Sequence, residues 1–561
     1  MKVLPPGTRI SGVILALLVG ALTATPIIML LIGSFSKGLT ATGAFTLEKY
    51  IKAYSNPALP RILLNTLIFV LGSAAFASLL AFTLAYLNVR TDIPFKGLFN
   101  VIPVIPMMVP HILFAVSWML LLNPSNGIVN LSIRTLFHTR GSLFNIYTLP
   151  GMIFVEGLLD LPIAYLIIAP AMASFDPSLE EASRISGASG WRTLRRITLP
   201  VLKPALLASF TLVLVRSLAA FAVPTMIGMP GRVYVLSTHI YRLISTGYAT
   251  DYGEAAAVGV IVLATSITFI FVYRKLTSET EKYVTVSGKG YRPAVIGLGK
   301  YKYPILGIVG ILLLFMIVLP VLTLLYTSLL PYSMVPSARA FSMMNLNNWR
   351  TVFHDPISIR ALKNSVFLGI VGATLGVLLS ALIAYTVVRV KSVTSAILET
   401  SVFLSFSFPG LVIGVGFMWF FVRTPLYATL AALLIGYIAT YLPYGVRPLT
   451  SAFVQIHKDL EDSSRVCGAS FLYTLRRVIA PLLIPGFVSA WILLVTMFLR
   501  ELSLSVVLSR PGTEVLAVRI LNFADDSLWG QVSALGIVMI LISSTLVLMA
   551  NLTGQWASRK R

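Results

Sequence analysis

The clustered polar chemistry of this chain is written twice. SLEEASRISGASGWRTLRRITLPVLKP runs from Ser178 to Pro204, and DLEDSSRVCGASFLYTLRRVIAPLLIP runs from Asp459 to Pro485. The two align without a gap at a constant offset of 281, so Gly187 falls on Gly468, Arg195 and Arg196 on Arg476 and Arg477, and Pro200 on Pro481. Acids within one helical turn, a glycine and a pair of arginines are the chemistry of surface recognition. Two copies point to a partner with two equivalent faces. A second set of ionisable residues lies inside apolar stretches: Glu156, Asp160, Arg216, Arg500 and Glu501. Charges at membrane depth are costly, so such residues mark either a solute path or interhelical ion pairs. Glu156 and Asp160 are four residues apart and share a helix face. Arg500 and Glu501 are adjacent, point in different directions and need not pair with each other.

The elements that must hold these residues are membrane spans. The chain has 561 residues, 57% of them hydrophobic and 11% charged, with a mean hydropathy of +0.89. That is the composition of a polytopic helical membrane protein. Apolar stretches of spanning length, roughly 20 residues, occur near 10–33, 62–89, 98–122, 150–173, 203–228 and 254–274, and again near 303–328, 361–388, 397–422, 426–447, 482–508 and 531–553. The expectation is therefore an all-α fold of about 12 transmembrane helices, six per half. The first stretch has no clear small-residue cleavage site and reads as a retained span. The only cysteine, Cys467, excludes an intramolecular disulfide and a cysteine-based metal site.

The formal net charge of +23 sets orientation rather than nucleic-acid binding. With both termini in the cytoplasm, Lys2, Arg9, Arg90, Lys96, the Arg184–Lys203 cluster, Arg389, Lys391, the Arg447–Arg477 cluster and Arg559-Lys560-Arg561 all face inward. The opposite orientation violates the positive-inside rule in almost every short loop. RILLNTLIFV at Arg61 matches RALKNSVFLG at Arg360, and AYLNVR ending at Arg90 matches AYTVVR ending at Arg389, at an offset of 299. Each half thus has the same order and direction of spans, a parallel repeat. The expected division is 1–60 for the first span and outer loop and 61–275 for the first six-span core. A linker at 276–302 follows, then 303–360 for the seventh span and its loop, and 361–553 for the second core.

Within each island, Ser178 with Glu181 has capping-box spacing and Asp459 with Asp462 resembles it. A short helix should end at Gly187 or Gly468 in a left-handed turn. A second helix should start near Gly190 and be interrupted at Pro200 and Pro204. One such loop could simply join two spans, with its arginines on lipid headgroups. Two loops matched residue for residue call for a protein dock instead. Nucleic acid is a poor partner for islands that carry acids and are tethered at both ends by spans.

The pattern Glu181-Ala182-Ser183, Gly187, Ile197, Leu199, Pro200 resembles the "EAA" signature of permease subunits of type I ATP-binding cassette importers. The second copy, Asp462-Ser463-Ser464, Gly468, Val478, Ala480, Pro481, keeps the spacing, the glycine and the proline but departs at the acid, at both small positions and at the Ile and Leu. The resemblance covers nearly the whole chain and implies two permease domains in one polypeptide. It implies that Glu181, Ala182, Gly187 and Pro200, with Asp462, Ser463, Gly468 and Pro481, couple the permease to two copies of a cytoplasmic ATPase subunit. It further implies a periplasmic or surface solute-binding protein outside and a bacterial inner-membrane location. No GxxxxGK[ST] occurs. Ser287-Gly288-Lys289-Gly290 is the nearest stretch, and it lacks the upstream glycine and the final Ser/Thr. ATP therefore belongs to the partner, and this chain is expected to bind no cofactor and to be a transport subunit rather than an enzyme.

Phe221-Ala222-Val223-Pro224 through Gly228, and Arg500-Glu501-Leu502 through Arg510-Pro511-Gly512 and Leu516-Ala517-Val518-Arg519, resemble segments of the ferric-ion importer group, whose relatives include thiamine, phosphonate and sugar-phosphate permeases. That resemblance implies a solute path lined by the fifth and eleventh spans, with Arg216, Arg500, Glu501, Glu156 and Asp160 as its candidate residues. Ferric ion prefers hard oxygen ligands, whereas arginines suit phosphate or an anion carried with the metal. Ferric ion is the first expectation and an organophosphate or thiamine-like solute the alternative. An ion-coupled secondary transporter is the rival class, also built of two parallel halves, but it has no use for matched cytoplasmic helices.

Overall fold

The computed structural model describes residues 6–38, 45–101, 109–139, 141–245, 250–278, 295–390, 392–405 and 408–559. Most of the expected linker, 279–294, and the Pro-rich stretch 102–108 lie outside the described residues. The spans and docks are α1 (Pro6–Ser34), α2 (Leu59–Arg90), α3 (His111–Leu122), α4 (Leu149–Ser174), α5 (Ser178–Ile185), α6 (Gly190–Leu218), α7 (Tyr252–Ser278) and α8 (Gly299–Ser328) in the first part of the chain. The rest supplies α9 (Pro356–Val390), α10 (Val393–Ser405), α11 (Gly410–Phe421), α12 (Leu430–Gln455), α13 (Asp459–Val466), α14 (Phe471–Leu482), α15 (Ile484–Leu499) and α16 (Trp529–Arg559).

Among the described residues nine helices are long and apolar enough to cross a membrane, and α14 with α15 makes a tenth that is bent by 71°. The other two expected spans, 98–122 and 397–422, are broken rather than continuous. The first is split into Lys96–Val101 and α3, the second into α10 and α11. Pro110 and Pro409 stand immediately before α3 and α11. A proline has no N–H to give the preceding turn, so a helix does not propagate through it cheaply. Nonhelical backbone at membrane depth is tolerated where protein surrounds it, and α3 and α11 are buried over almost their whole length.

The chain folds into two compact units, and these are not its two sequence halves. One comprises Met1–Ser55, Ile240–Ile261 and Asn347–Arg561, the other Asn56–His239 and Val262–Leu346. In the first unit α1 packs along α11 and α10. Ala16 and Val19 join Ile383, Leu398, Val402, Leu442 and Val446 in one buried cluster. Close approach makes this possible: a Cβ at Gly416 would collide with the Pro26 carbonyl oxygen. Small residues that let helix backbones meet are the usual device of membrane packing, where no hydrophobic drive exists between helices. In the second unit α8 packs on α3, and α2 lies along α4 and α6. The first span of each half therefore packs with the opposite half.

α4 and α12 have the same length of 26 residues and matched starts. The Thr148 and Thr429 hydroxyls accept the Gly151 and Ala432 N–H groups at 3.1 and 3.3 Å. Each such helix delivers the chain to a dock at its C-terminal end.

Candidate functional site

Each dock is a helix-turn-helix held by local chemistry. The capping box does not form. α5 starts directly after Pro177, so Ser178 is already its first helical residue, and the Asp176 carboxylate accepts the Ser178 N–H at 2.9 Å. α13 starts after Lys458, also without a side-chain cap. The C-terminal turns follow the expectation. Gly187 and Gly468 adopt φ of +78° and +83°, the left-handed region open to glycine. The Ala188 N–H reaches back to the Ser183 carbonyl at 3.0 Å and the Ala469 N–H to Ser464 at 3.1 Å, the pattern that closes a helix C-terminus. Ser189 and Ser470 then cap the second helix, each accepting an N–H at 3.3 Å from Arg192 or Tyr473. A hydroxyl pair ties the two helices together, Ser183 to Thr193 at 3.0 Å and Ser464 to Thr474 at 2.9 Å.

The prolines act differently from the expectation. Leu194–Thr198 and Leu475–Ile479 are single π turns placed just before Pro200 and Pro481. Such a turn absorbs a local mismatch in hydrogen bonding without ending the helix. α6 consequently runs unbroken past both Pro200 and Pro204. In the second dock the helix turns by 71° at Leu483, one residue before α15 and two before Pro485.

Glu181, Ala182, Asp462 and Ser463 are exposed on the outer face of the docks. Beside them stand apolar side chains with no cover. Ile185 is 88% exposed and Val466, its counterpart, 87%; Trp191 is 69% and Leu472 70%. Exposed arginines flank both pairs: Arg184 and Arg192 in the first dock, Arg465 and Arg476 in the second. Large apolar side chains projecting into water within a polar rim mark a protein-interaction site.

The neighbouring acid does something else. Glu180 and Glu461 are buried, and each faces an arginine at the end of a span. Arg389 Nε donates to Glu461 Oε1 at 2.6 Å and its Nη2 to the Ile456 carbonyl at 2.8 Å. Arg90 Nε stands 3.6 Å from Glu180 Oε2, and its Nη2 donates to the carbonyls of Met172 and Phe175 at 3.2 and 3.0 Å. Glu180 also accepts the Thr198 hydroxyl. Sequence reasoning singled out Glu181 and Asp462 and passed over Glu180 and Glu461. A signal was present: position 180/461 is the one acid of the first dock helix identical in both copies, and Arg90/Arg389 repeats as well.

The intramembrane residues fall into two groups. Arg216 Nε donates to Asp160 Oδ1 at 2.9 Å, and the Ser217 hydroxyl donates to Oδ2 at 3.1 Å. Glu156 is buried one turn earlier on α4, within electrostatic reach of both Asp160 and Arg216. Arg500 and Glu501 do not lie within the eleventh span as expected, because α15 ends at Leu499 and Arg500 is its cap residue. Glu501 instead organises the turn that follows. Its Oε1 accepts the Leu504 N–H at 2.6 Å, and its other oxygen takes the Tyr441 hydroxyl. At the offset of 281, Tyr437 and Tyr441 stand where the first half has Glu156 and Asp160. Among the described residues no group of three or more His, Cys, Asp or Glu side chains is arranged to hold a metal ion.

A duplicated bundle of inner-membrane helices, each copy carrying a polar dock between its fourth and fifth spans, defines the membrane subunit of an ATP-binding cassette transporter with two permease domains fused in one chain. The chain belongs to the family of binding-protein-dependent transport system inner membrane components, whose profile matches residues 73–282 and 372–560. It is 30% identical to the ferric transport system permease protein FbpB of Actinobacillus pleuropneumoniae, over 93% of this chain and 75% of that protein. It is also 30% identical to the putative ferric transport system permease protein FbpB 1 of Haemophilus influenzae, over 85% of this chain and 74% of that one. The trehalose transport system permease protein SugB of Mycobacterium tuberculosis is 30% identical over 40% of this chain and 84% of its own length.

Proposed function

We propose that this permease imports ferric ion delivered by a solute-binding protein, driven by two copies of a cytoplasmic ATPase seated on its two docks. The matched docks carry the reading: each offers an uncovered apolar pair, Ile185 with Trp191 and Val466 with Leu472, beside an exposed acid, Glu181 or Asp462. Two identical ATPase subunits need two such faces. Both termini are then cytoplasmic, in agreement with the inward clustering of Lys and Arg.

Ferric ion is favoured by the two relatives named as ferric transport permeases, which the chain matches over most of its length. Glu156 and Asp160, one turn apart on α4, offer the hard oxygen that ferric ion prefers. Arg500 is nearly as buried as these acids. It favours the second reading, an organophosphate or other anion, through the charge-assisted bonds that guanidinium makes to phosphate. ATPase activity in proteoliposomes containing the permease, its ATPase and the binding protein separates the two. Stimulation by the iron-loaded binding protein supports ferric import. Stimulation by a phosphorylated ligand with none by iron contradicts it.

A further inference from the structure

The two docks are fastened to their bundles by one device, built twice. Arg90 ends α2 and Arg389 lies in the last turn of α9, at an offset of 299; Glu180 and Glu461 lie on the dock helices, at an offset of 281. The two registers differ, yet the same partners meet in both units. Arg90 is 0% exposed and Glu180 4%; Glu461 is 2% exposed. In each case the guanidinium also holds the carbonyl of the residue that caps the preceding span, Phe175 after α4 and Ile456 after α12. One arginine thus ties together three elements: the end of its own span, the C-terminal end of the span leading into the dock, and the dock helix.

We propose that Glu180 with Arg90, and Glu461 with Arg389, are positioning pairs that make each dock move as one rigid body with its spans. A load applied to Ile185 or Val466 then reaches α2 and α4, or α9 and α12, without being lost in the turn between them. This rests on the reading of the docks as ATPase seats. A packed, buried ion pair with a second carbonyl bond has one arrangement, and such elements carry motion between sites. The dock helices cannot do this alone, since their outer faces are bare and each is only eight residues long. The acids of the pairs are buried beneath the exposed outer face of each dock, so losing the pairs need not weaken docking.

The test uses the full permease with its ATPase in nanodiscs, carrying Cys467→Ser and two spin labels. One label replaces exposed Leu460 on the dock and the other exposed Leu382 on α9; Leu179 and Leu79 serve the first half. The distance between labels is measured before and after trapping with ATP and vanadate, and ATPase co-purification is measured in parallel. With the native pair the distance is the same in both states. In Glu461→Gln and in Glu180→Gln a second distance appears on trapping, while the ATPase still co-purifies at the native yield. The conservative variant Glu461→Asp, which keeps a carboxylate and leaves the Arg389 bond to the Ile456 carbonyl in place, keeps the single distance, which a loss of folding would not allow. A single unchanged distance in the Gln variants overturns the proposal and leaves ATPase docking intact. Failure of the ATPase to co-purify with the native permease overturns the docking reading instead. If a Gln variant does not insert, Arg389→Gln, which keeps a donor for the Ile456 carbonyl, decides: a second distance on trapping supports the positioning role, and a single distance contradicts it.

Discussion

The first and second docks share a backbone and differ in how they are held. Both have the left-handed glycine, the serine cap, the hydroxyl tie and the π turn. In the second dock Arg389 meets Glu461 at 2.6 Å, and the chain then bends by 71° into α15. In the first, Arg90 stands 3.6 Å from Glu180, its Nε and Nη1 have no hydrogen-bond partner, and α6 continues straight from the dock into the membrane. Glu180 is shared with Thr198, where the second copy has Ile479. The comparison teaches that the turns of the two docks match while their ionic contacts and their exits into the membrane differ. The dock closer to the EAA pattern, with Glu181-Ala182-Ser183, is the one with the longer ion pair.

That contrast can be broken first at Arg389. Arg389→Ala strips Glu461 of its cation inside the protein, and removing one partner of a buried pair costs about 3–5 kcal/mol. Arg90→Ala leaves Glu180 its Thr198 hydroxyl and should cost less, about 1–3 kcal/mol for lost carbonyl bonds and a desolvated acid. Thermal unfolding of the two variants in detergent checks the order, and equal losses would show that the 3.6 Å and 2.6 Å pairs are energetically alike.

The bundle offers the same contrast at matched positions. Asp160→Ala removes the carboxylate to which Arg216 and Ser217 donate and should also lower stability by about 3–5 kcal/mol. Tyr441→Phe, at the equivalent place in the second half, removes one hydroxyl from Glu501, whose Leu504 amide bond remains. A loss of about 1–3 kcal/mol is expected there, measured by the same unfolding assay.

Thr198→Val makes the first dock resemble the second by withdrawing one donor from Glu180. A cost of about 1 kcal/mol follows for a single side-chain hydrogen bond. The variant sharpens the comparison if a crystal structure then shows Glu180 turned fully toward Arg90.

The smallest effects lie in segments between the spans, where two acids shift in opposite directions. Burial pushes the Asp251 carboxyl up, but the Glu254 amide, Lys49 and Lys52 overcome it and hold the acid at about 2. Its folded value lies below the ordinary 3.8, so its stabilisation is complete above pH 3.8 and is lost as pH falls toward about 2. Burial, with Asp526 beside it, raises Asp525 instead. A raised acid opposes folding once ionised, so Asp525→Asn should raise the unfolding temperature slightly at neutral pH. The gain should fade as acid protonates the native carboxyl. Asp251→Asn should do the reverse, losing stability at neutral pH and little below about pH 2.

The repeat and the docks were legible because they are local. A glycine that follows a short helix and matches another at a fixed offset predicts its own left-handed turn, and Gly187 and Gly468 both take it. The spans were legible by length and hydropathy, except where Pro110 and Pro409 break them. Long-range facts were not legible. Nothing in the Arg90 neighbourhood names Glu180 as its partner, because which face of α5 turns inward depends on how the dock settles against α2 and α4. The packing of α1 on α10 and α11 depends on a contact between residues about 400 apart, such as Pro26 and Gly416, whose steric meaning appears only in three dimensions. Arg500 and Glu501 were placed too deep because apolar Leu502–Leu508 continues the hydrophobic run after the helix has ended.

Native mass spectrometry of the detergent-purified complex, counting ATPase subunits per permease, tests the central claim most directly. Ile185 and Val466 are 88% and 87% exposed, so replacing either with aspartate leaves the bundle untouched. Two matched docks predict two ATPase subunits on the native chain, one on Ile185→Asp, one on Val466→Asp and none on the double variant. A double variant that keeps both subunits would contradict the account.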